Sequence, residues 1–145
     1  MFFGKYPLPL SEKRQFILPS IFHEEMRNTA YIVQGFDQNL LLLTQQAFTA
    51  IYTQIKGTSI SDPLARLLKR LFLGGAEEIE IDAQGQIDLP FNLCEYAELS
   101  KEVILVGQGD YLEVWSLALW QKQLESLNDF ELNTHRFEKF HVSLT

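Results

Sequence analysis

A chain of 145 residues, 46% hydrophobic and 21% charged, has an ordinary globular composition, with room for one domain or two small, intimately packed units. A formal charge of −7 excludes indiscriminate nucleic-acid binding by the monomer, but leaves room for a local basic patch among twelve Lys and Arg residues. The single Cys94 excludes an intramolecular disulfide, and no apolar run approaches the roughly 20 residues of a membrane helix, so no membrane partner is expected.

The elements can be read in chain order. The stretch from Met1 to Pro7 has no sustained apolar core of a signal peptide, and the expected location is a reducing cytoplasm. Residues 5–10 form an irregular edge strand, because Pro7 and Pro9 lack ladder donors. A polar turn follows, then a short return strand over 16–18 closed by Pro19, which can open a short helix to about Met26. The runs 30–33 and 40–43, separated by a Gly-containing polar turn, predict a hairpin. Thr44 is an N-cap candidate for a helix with Phe48, Ile51, Tyr52 and Ile55 on one face. Residues 57–62 form a linker. Ser61 is expected to cap the next helix, with Asp62 in its first turn, Pro63 near its start and its end near Gly74 and Gly75. On that helix Arg66, Lys69 and Arg70 share a face, either solvated and salt-bridged or phosphate-contacting.

The second half repeats the plan. Residues 77–82 alternate Glu with Ile, which predicts a strand with one dry face. A turn, a return strand over 87–89 and a short helix from Pro90 to about Ala97 come next. The runs 102–106 and 111–115 predict a second hairpin, Ser116 a second N-cap, and Leu117, Trp120, Leu124 and Leu127 a second apolar helix face. After Asn128 the aromatic residues show no convincing periodicity, and the tail reads as a docking segment or as partly disordered.

The repetition is one of register. Pro19 and Pro90, like Gln15 and Gln86, stand 71 residues apart, and Leu40, Leu42, Thr44 and Phe48 match Leu112, Val114, Ser116 and Trp120 at a spacing of 72. Two small units packed as a pseudo-symmetric pair are therefore expected, with boundaries at 1–56 for the first half, 57–75 for the linker and connecting helix, 76–127 for the second half and 128–145 for the tail.

Enzymatic constellations are missing from the sequence. It contains no Gly-rich phosphate loop, no nucleophile elbow and no metal-binding His pair. His23, His135 and His141 are scattered, and Cys94 sits in an aliphatic setting that predicts a buried, inert thiol. No catalytic residue, metal or cofactor is expected. The repeated turn carries the interest: Gly85 can supply a positive φ and Asp82 can accept the turn's N–H groups, which frees Gln84 and Gln86 to project. In the first copy Lys13 and Arg14 form an adjacent basic pair. A rigid turn presenting such groups suits a DNA backbone or groove edge, although a plain hairpin turn has the same local chemistry.

Several segments together resemble the MraZ family: Met1, Phe2, Phe3, Gly4; the Lys13 turn ending in Pro19; the helix from Asp62 and Pro63 to Arg70 before Gly74, Gly75, Ala76; and Asp82, Gln84, Gly85, Ile87, Leu89, Pro90. The stretch from Leu99 through Val103, Gly107 and Gln108 to Trp115 adds to the resemblance, which extends to about Leu127. It implies a mostly β fold with peripheral helices (α+β): two tandem AbrB-like swapped-hairpin units forming a pseudo-two-fold double-split β-barrel. It also implies a ring-shaped homo-oligomer, nucleoid-associated in the cytoplasm, that binds promoter repeats in double-stranded DNA and regulates the bacterial division and cell-wall gene cluster. The family motif is Asp, two residues, Gly, Arg, then a Pro four residues on, once per half. Here Gln15 and Gln86 occupy both Arg positions, Arg14 the first Gly position and Ser11 the first Asp position. The expected DNA surface comprises Lys5, Lys13, Arg14, Gln15, Gln84, Gly85 and Gln86, with Arg14 as its main cation. The double departure to Gln also admits an oligomeric scaffold with weakened DNA binding.

Overall fold

Alternation and capping place the elements close to where the sequence puts them. The computed structural model describes residues 1–142. In chain order they form β1 (Lys5–Pro9), β2 (Gln15–Ile17), a 3-10 turn (Ser20–Phe22) running into α1 (His23–Met26), β3 (Thr29–Gln34), β4 (Leu40–Thr44), α2 (Gln45–Lys56) and α3 (Pro63–Phe72). Then follow β5 (Glu77–Glu80), β6 (Gln86–Asp88), α4 (Phe91–Tyr96), β7 (Glu102–Gly107), β8 (Tyr111–Ser116), α5 (Leu117–Leu127), α6 (Phe130–Phe137) and a 3-10 turn (Glu138–Phe140). Thr44 and Ser116 cap α2 and α5 as expected, accepting from Ala47 N at 3.0 Å and Leu119 N at 3.1 Å.

Six strands make one antiparallel sheet in the order β1-β7-β8-β4-β3-β5, and β2 and β6 make a separate two-stranded ribbon. The fold is α+β. β1 and β5 end the sheet, so the strands do not close into a barrel among the described residues. Pairing crosses between the halves: β1 lies on β7, β5 on β3, and β2 on β6. None of these partners is close in sequence.

Burial explains the arrangement. Between the ribbon and one sheet face lies the main core, in which Phe2, Phe16, Leu18, Phe22, Leu42, Ile87, Leu93 and Leu105 are all at most 2% exposed. Each such side chain stabilises the fold by about 1.5–3 kcal/mol. On the other face α2 and α3 cover Val33 and Leu43, where Phe48 stacks between Tyr31 at 4.4 Å and Phe72 at 5.4 Å. α5 covers Ile104, Val106 and Trp115.

Two local expectations are corrected. Asp62, not Ser61, caps α3, accepting from Leu64 N at 2.9 Å. Pro63 with its fixed φ opens the helix, and the residue before a proline is held extended, here at φ −83° and ψ 119°. The tail is helical as well: Asp129 caps α6, and buried Asn133 donates to the carbonyls of Ser126 and Leu127 at the end of α5. Residues 143–145 lie outside the described region.

Glu113 on β8 is half-buried. Burial raises its pKa, the hydrogen bond from Trp115 opposes this, and Asp37 adds to the rise. A carboxyl that holds its proton more tightly when folded than unfolded costs stability as pH rises above the unfolded value. Glu113→Gln keeps an oxygen for the Trp115 Nε1–H, now at 3.0 Å. The variant is expected to be more stable than the parent at pH 7 and equal to it below about pH 4, as read from urea midpoints.

Candidate nucleic-acid interface

The two repeated turns are built alike around different residues, the second with one side-chain bond more. In the first, Arg14 N donates to Ser11 O at 2.9 Å and Gln15 N to Ser11 Oγ at 3.1 Å. In the second, Gly85 N donates to Asp82 O at 3.0 Å, while Asp82 Oδ1 accepts from Gln86 N at 2.8 Å and Gln84 N at 3.0 Å. Each turn then swings through the left-handed region, with φ 62° at Arg14 and 86° at Gly85. A three-residue loop of this kind needs such a residue to return the chain into the next strand.

Each turn is locked onto the other half. Leu18 N donates to Gly85 O and Leu89 N to Arg14 O, both at 2.9 Å. Between the turns β2 and β6 run antiparallel, with Gln15 opposite Asp88 and Ile17 opposite Gln86. Phe16 and Ile87 point into the core, so Gln15, Ile17, Gln86 and Asp88 share the outer face. Gln15 and Gln86 sit diagonally, two rungs and one strand apart, about 8 Å by ladder dimensions.

The side chains at the two left-handed positions do different work. Arg14 does not extend from its turn: its Nε–H donates to Leu89 O at 3.2 Å and its guanidinium lies 5.5 Å from the Phe91 ring. Beside it Cys94 is buried, and burial raises the thiol pKa against the opposing pull of the Arg14 charge. At the second turn Gly85 has no side chain, and His23 fills the space, its Nε2–H donating to Leu18 O at 2.6 Å. A carbonyl can only accept, so that nitrogen carries the proton. Arg14 and Gly85, like His23 and Cys94, stand 71 residues apart. The same carbonyl is thus capped by Arg14 in one half and by His23 in the other.

Lys13, Gln84 and the outer ribbon residues Gln15 and Gln86 are therefore brought together around one surface, with Gly85 buried beneath it and Arg14 at its margin. Lys5 is not with them. It lies at the far end of β1, about 17 Å along the strand from the turn, with its ammonium 5.7 Å from the Trp120 ring. Two exposed cations absent from the expected set do flank the turns. Lys101 O accepts from Leu10 N at 2.9 Å beside the first turn, and Arg27 adjoins Asn28, whose O accepts from Ile81 N at 2.8 Å beside the second. Both are isolated cations in the sequence, and only long-range pairing brings them here.

Chemically, the surface offers amide donors and acceptors, an ammonium group and a guanidinium edge. No cluster of three His, Cys, Asp or Glu side chains suited to a metal occurs among the described residues, and no helix there is long and apolar enough to cross a membrane. A sequence model of the family described as "MraZ protein, putative antitoxin-like" matches residues 72–142. A protein named "Transcriptional regulator MraZ" from Herpetosiphon aurantiacus is 35% identical over 129 residues, 89% of this chain and 90% of the relative. One of the same name from Carboxydothermus hydrogenoformans is 38% identical over 120 residues, 83% of this chain and 84% of the relative. Another, from Clostridium tetani, is 30% identical over 131 residues, covering 90% and 92%. With this identity across nearly the whole length of its relatives, the chain belongs to the MraZ family of transcriptional regulators, which are not enzymes.

Proposed function

We propose that this chain regulates transcription by binding double-stranded DNA through the β2–β6 ribbon and its two flanking turns. The observation that carries the reading is the mutual lock of the turns, which holds two equivalent polar edges at fixed separation on one face. Rigid presentation lowers the ordering cost of binding. Asp88, opposite Gln15 in the rung beside the first turn, accepts from Gln86 Nε2 at 3.5 Å and puts a negative charge on the outer face, so phosphate contact falls to the cations of the turns. Lys13 supplies the free charge there, Arg14 the remaining edge of its guanidinium, and Gln15, Gln84 and Gln86 hydrogen-bond bases or phosphates. Gly85 holds the second turn in shape. Lys5, at the other end of β1, acts outside this surface.

The crossed pairing of β1 with β7 and β5 with β3 supports two tandem swapped-hairpin units, 1–56 and 76–127, joined by 57–75 in a pseudo-two-fold, double-split arrangement. We further propose that copies assemble into a ring, so that several promoter repeats are engaged at once. In that form the protein acts at the nucleoid on the division and cell-wall gene cluster. Alanine variants test the surface. Lys13→Ala is expected to lower the slope of log K against log salt by about one per contacting subunit. Gln15→Ala and Gln86→Ala should each cost about 1–3 kcal/mol of specific affinity with little change in slope. If all three bind a promoter fragment as the parent does, the surface is misassigned.

A further inference from the structure

The pseudo-two-fold of the β2–β6 ribbon is broken at its most exposed positions. Its axis passes through the rung of Phe16 and Ile87, so it exchanges Gln15 with Gln86 and Ile17 with Asp88, each pair 71 residues apart. Gln15 and Gln86 match in kind and are both half-buried. Ile17 and Asp88 match only in exposure, Ile17 at 49%. Strand formation does not account for this pair, since Ile favours a strand and Asp is depleted from strands. Packing does not account for it either, because both side chains lie on the outer face, away from the core that holds Phe16 and Ile87.

Each of the two stands across from a Gln. Gln15 faces Asp88 in one rung and Gln86 faces Ile17 in the other, and Cβ atoms in such pairs lie about 5 Å apart. The outer face therefore carries two identical amide groups, one with an acceptor beside it and the other with a branched aliphatic group. The Asp88 carboxylate makes one long contact, with Gln86 Nε2 at 3.5 Å, and has no ion pair among the described residues. Most of its acceptor sites remain open. The two rungs are about 7 Å apart along the strands, and a two-stranded ribbon fits the major groove, which is about 12 Å wide.

We propose that Ile17 and Asp88 make the two ends of the ribbon read different bases. In the major groove thymine alone presents a methyl group, and cytosine presents an amino donor with no acceptor of its own. Ile17 packs on the methyl group of a thymine next to the base bonded by Gln86. Asp88 accepts from the N4 amino group of a cytosine next to the base bonded by Gln15. The same carboxylate rejects guanine, whose groove edge shows only acceptors. The site read by one chain is therefore asymmetric, with its thymine and cytosine positions within about three base pairs of each other. This assignment rests on the ribbon being the DNA surface, as proposed above, and names the bases it distinguishes.

Selection of the full chain on duplexes with a randomised segment, with sequencing of the bound fraction, tests it. Both residues are exposed, so neither substitution disturbs the core. The parent is expected to enrich one motif. Ile17→Ala should lose the thymine preference at one position of that motif, and Asp88→Asn should exchange cytosine for adenine at another, since an Asn amide pairs with adenine N6 and N7. Replacing the thymine by deoxyuridine removes only its methyl group, which should weaken parent binding about fourfold and leave Ile17→Ala unmoved. Variants that enrich the parent's motif unchanged overturn the assignment and leave DNA recognition by the chain standing. An Asp88→Asn variant that binds every sequence more tightly by one common factor also overturns it, because the carboxylate then acts only by repelling phosphate. A parent chain that enriches no motif overturns the DNA-recognition reading itself.

Discussion

Gly85→Ala is expected to destabilise the protein by about 3 kcal/mol, and shortening His23 in the same chain is expected to recover part of that loss. Two independent penalties combine at Gly85. Its φ of 86° is strained for any residue with a Cβ, at about 1 kcal/mol or more. A Cβ there would also overlap His23 Nε2, lie 2.7 Å from His23 Cε1 and come within 3.1 Å of Leu18 O. Overpacking of this kind costs typically about 1–3 kcal/mol. The His23 ring can yield only by giving up its bond to Leu18 O. His23→Ala alone removes that bond, a loss of about 1 kcal/mol, and empties the space. The double variant is therefore less destabilised than the sum of the singles by about 1 kcal/mol or more. Strict additivity in urea unfolding would show that the two residues do not share one space. A stronger form of the same test is Gly85→Arg with His23→Cys, which gives the second turn the side chains of the first. This pair should fold where Gly85→Arg alone largely does not.

The second large effect is expected at Gly107, where alanine should cost about 3–5 kcal/mol by expelling the N-terminal segment. An added Cβ would overlap Phe3 N and Cα and come within 2.6 Å of Phe2 C. These are backbone atoms, so no rotamer change relieves the contact. The segment is pinned on both sides: Gly107 N donates to Gly4 O at 2.8 Å, Phe2 N to Gly109 O at 2.8 Å and Gly109 N to Phe2 O at 2.7 Å. Releasing it pulls Phe2, fully buried against Phe22 at 5.2 Å, out of the main core, which is comparable to truncating a core Phe. Denaturation midpoints measure the cost. Proteolysis sets the mechanism: cleavage should begin near the N-terminus in the variant and not in the parent. A variant that matches the parent in both measurements would show that β7 shifts to accommodate the methyl group at little cost.

Legibility in the sequence followed the range of the interaction. Thr44, Ser116, Asp82 and Gly85 were readable because a cap or turn is settled within four residues. Ser61 and Asp62 can both cap, and the constraint from Pro63 decides for Asp62. The helix α6 buries only Asn133 and so carries no apolar period in the sequence. Crossed pairing of β1 with β7 and β5 with β3 could not be read from spacing, since any edge strand satisfies the same alternation. The candidate site divides in the same way. Its turns were visible as a repeat. The folding of Arg14 onto Leu89 O and Phe91 was not, because the partners lie 75 and 77 residues away. Lys5 is expected on the DNA surface, yet the extended β1 carries it away from the turns.

That placement changes what the two Gln residues mean. With Arg14 partly committed to a structural bond, the free charge at the turns comes from Lys13 and the flanking Arg27 and Lys101, and under the proposed reading the amide groups of Gln15 and Gln86 carry the base contacts. Lys13, Arg27 and Lys101 should then set the salt slope, while the Gln contacts set the preference between sequences. The most direct test is a titration of the full chain against its own upstream promoter fragment and a scrambled fragment of equal length, at several salt concentrations. We expect the promoter fragment to bind tighter by about a hundredfold or more, with a preference that survives as salt rises. Equal affinity for the two fragments at every salt concentration would contradict DNA recognition by this surface.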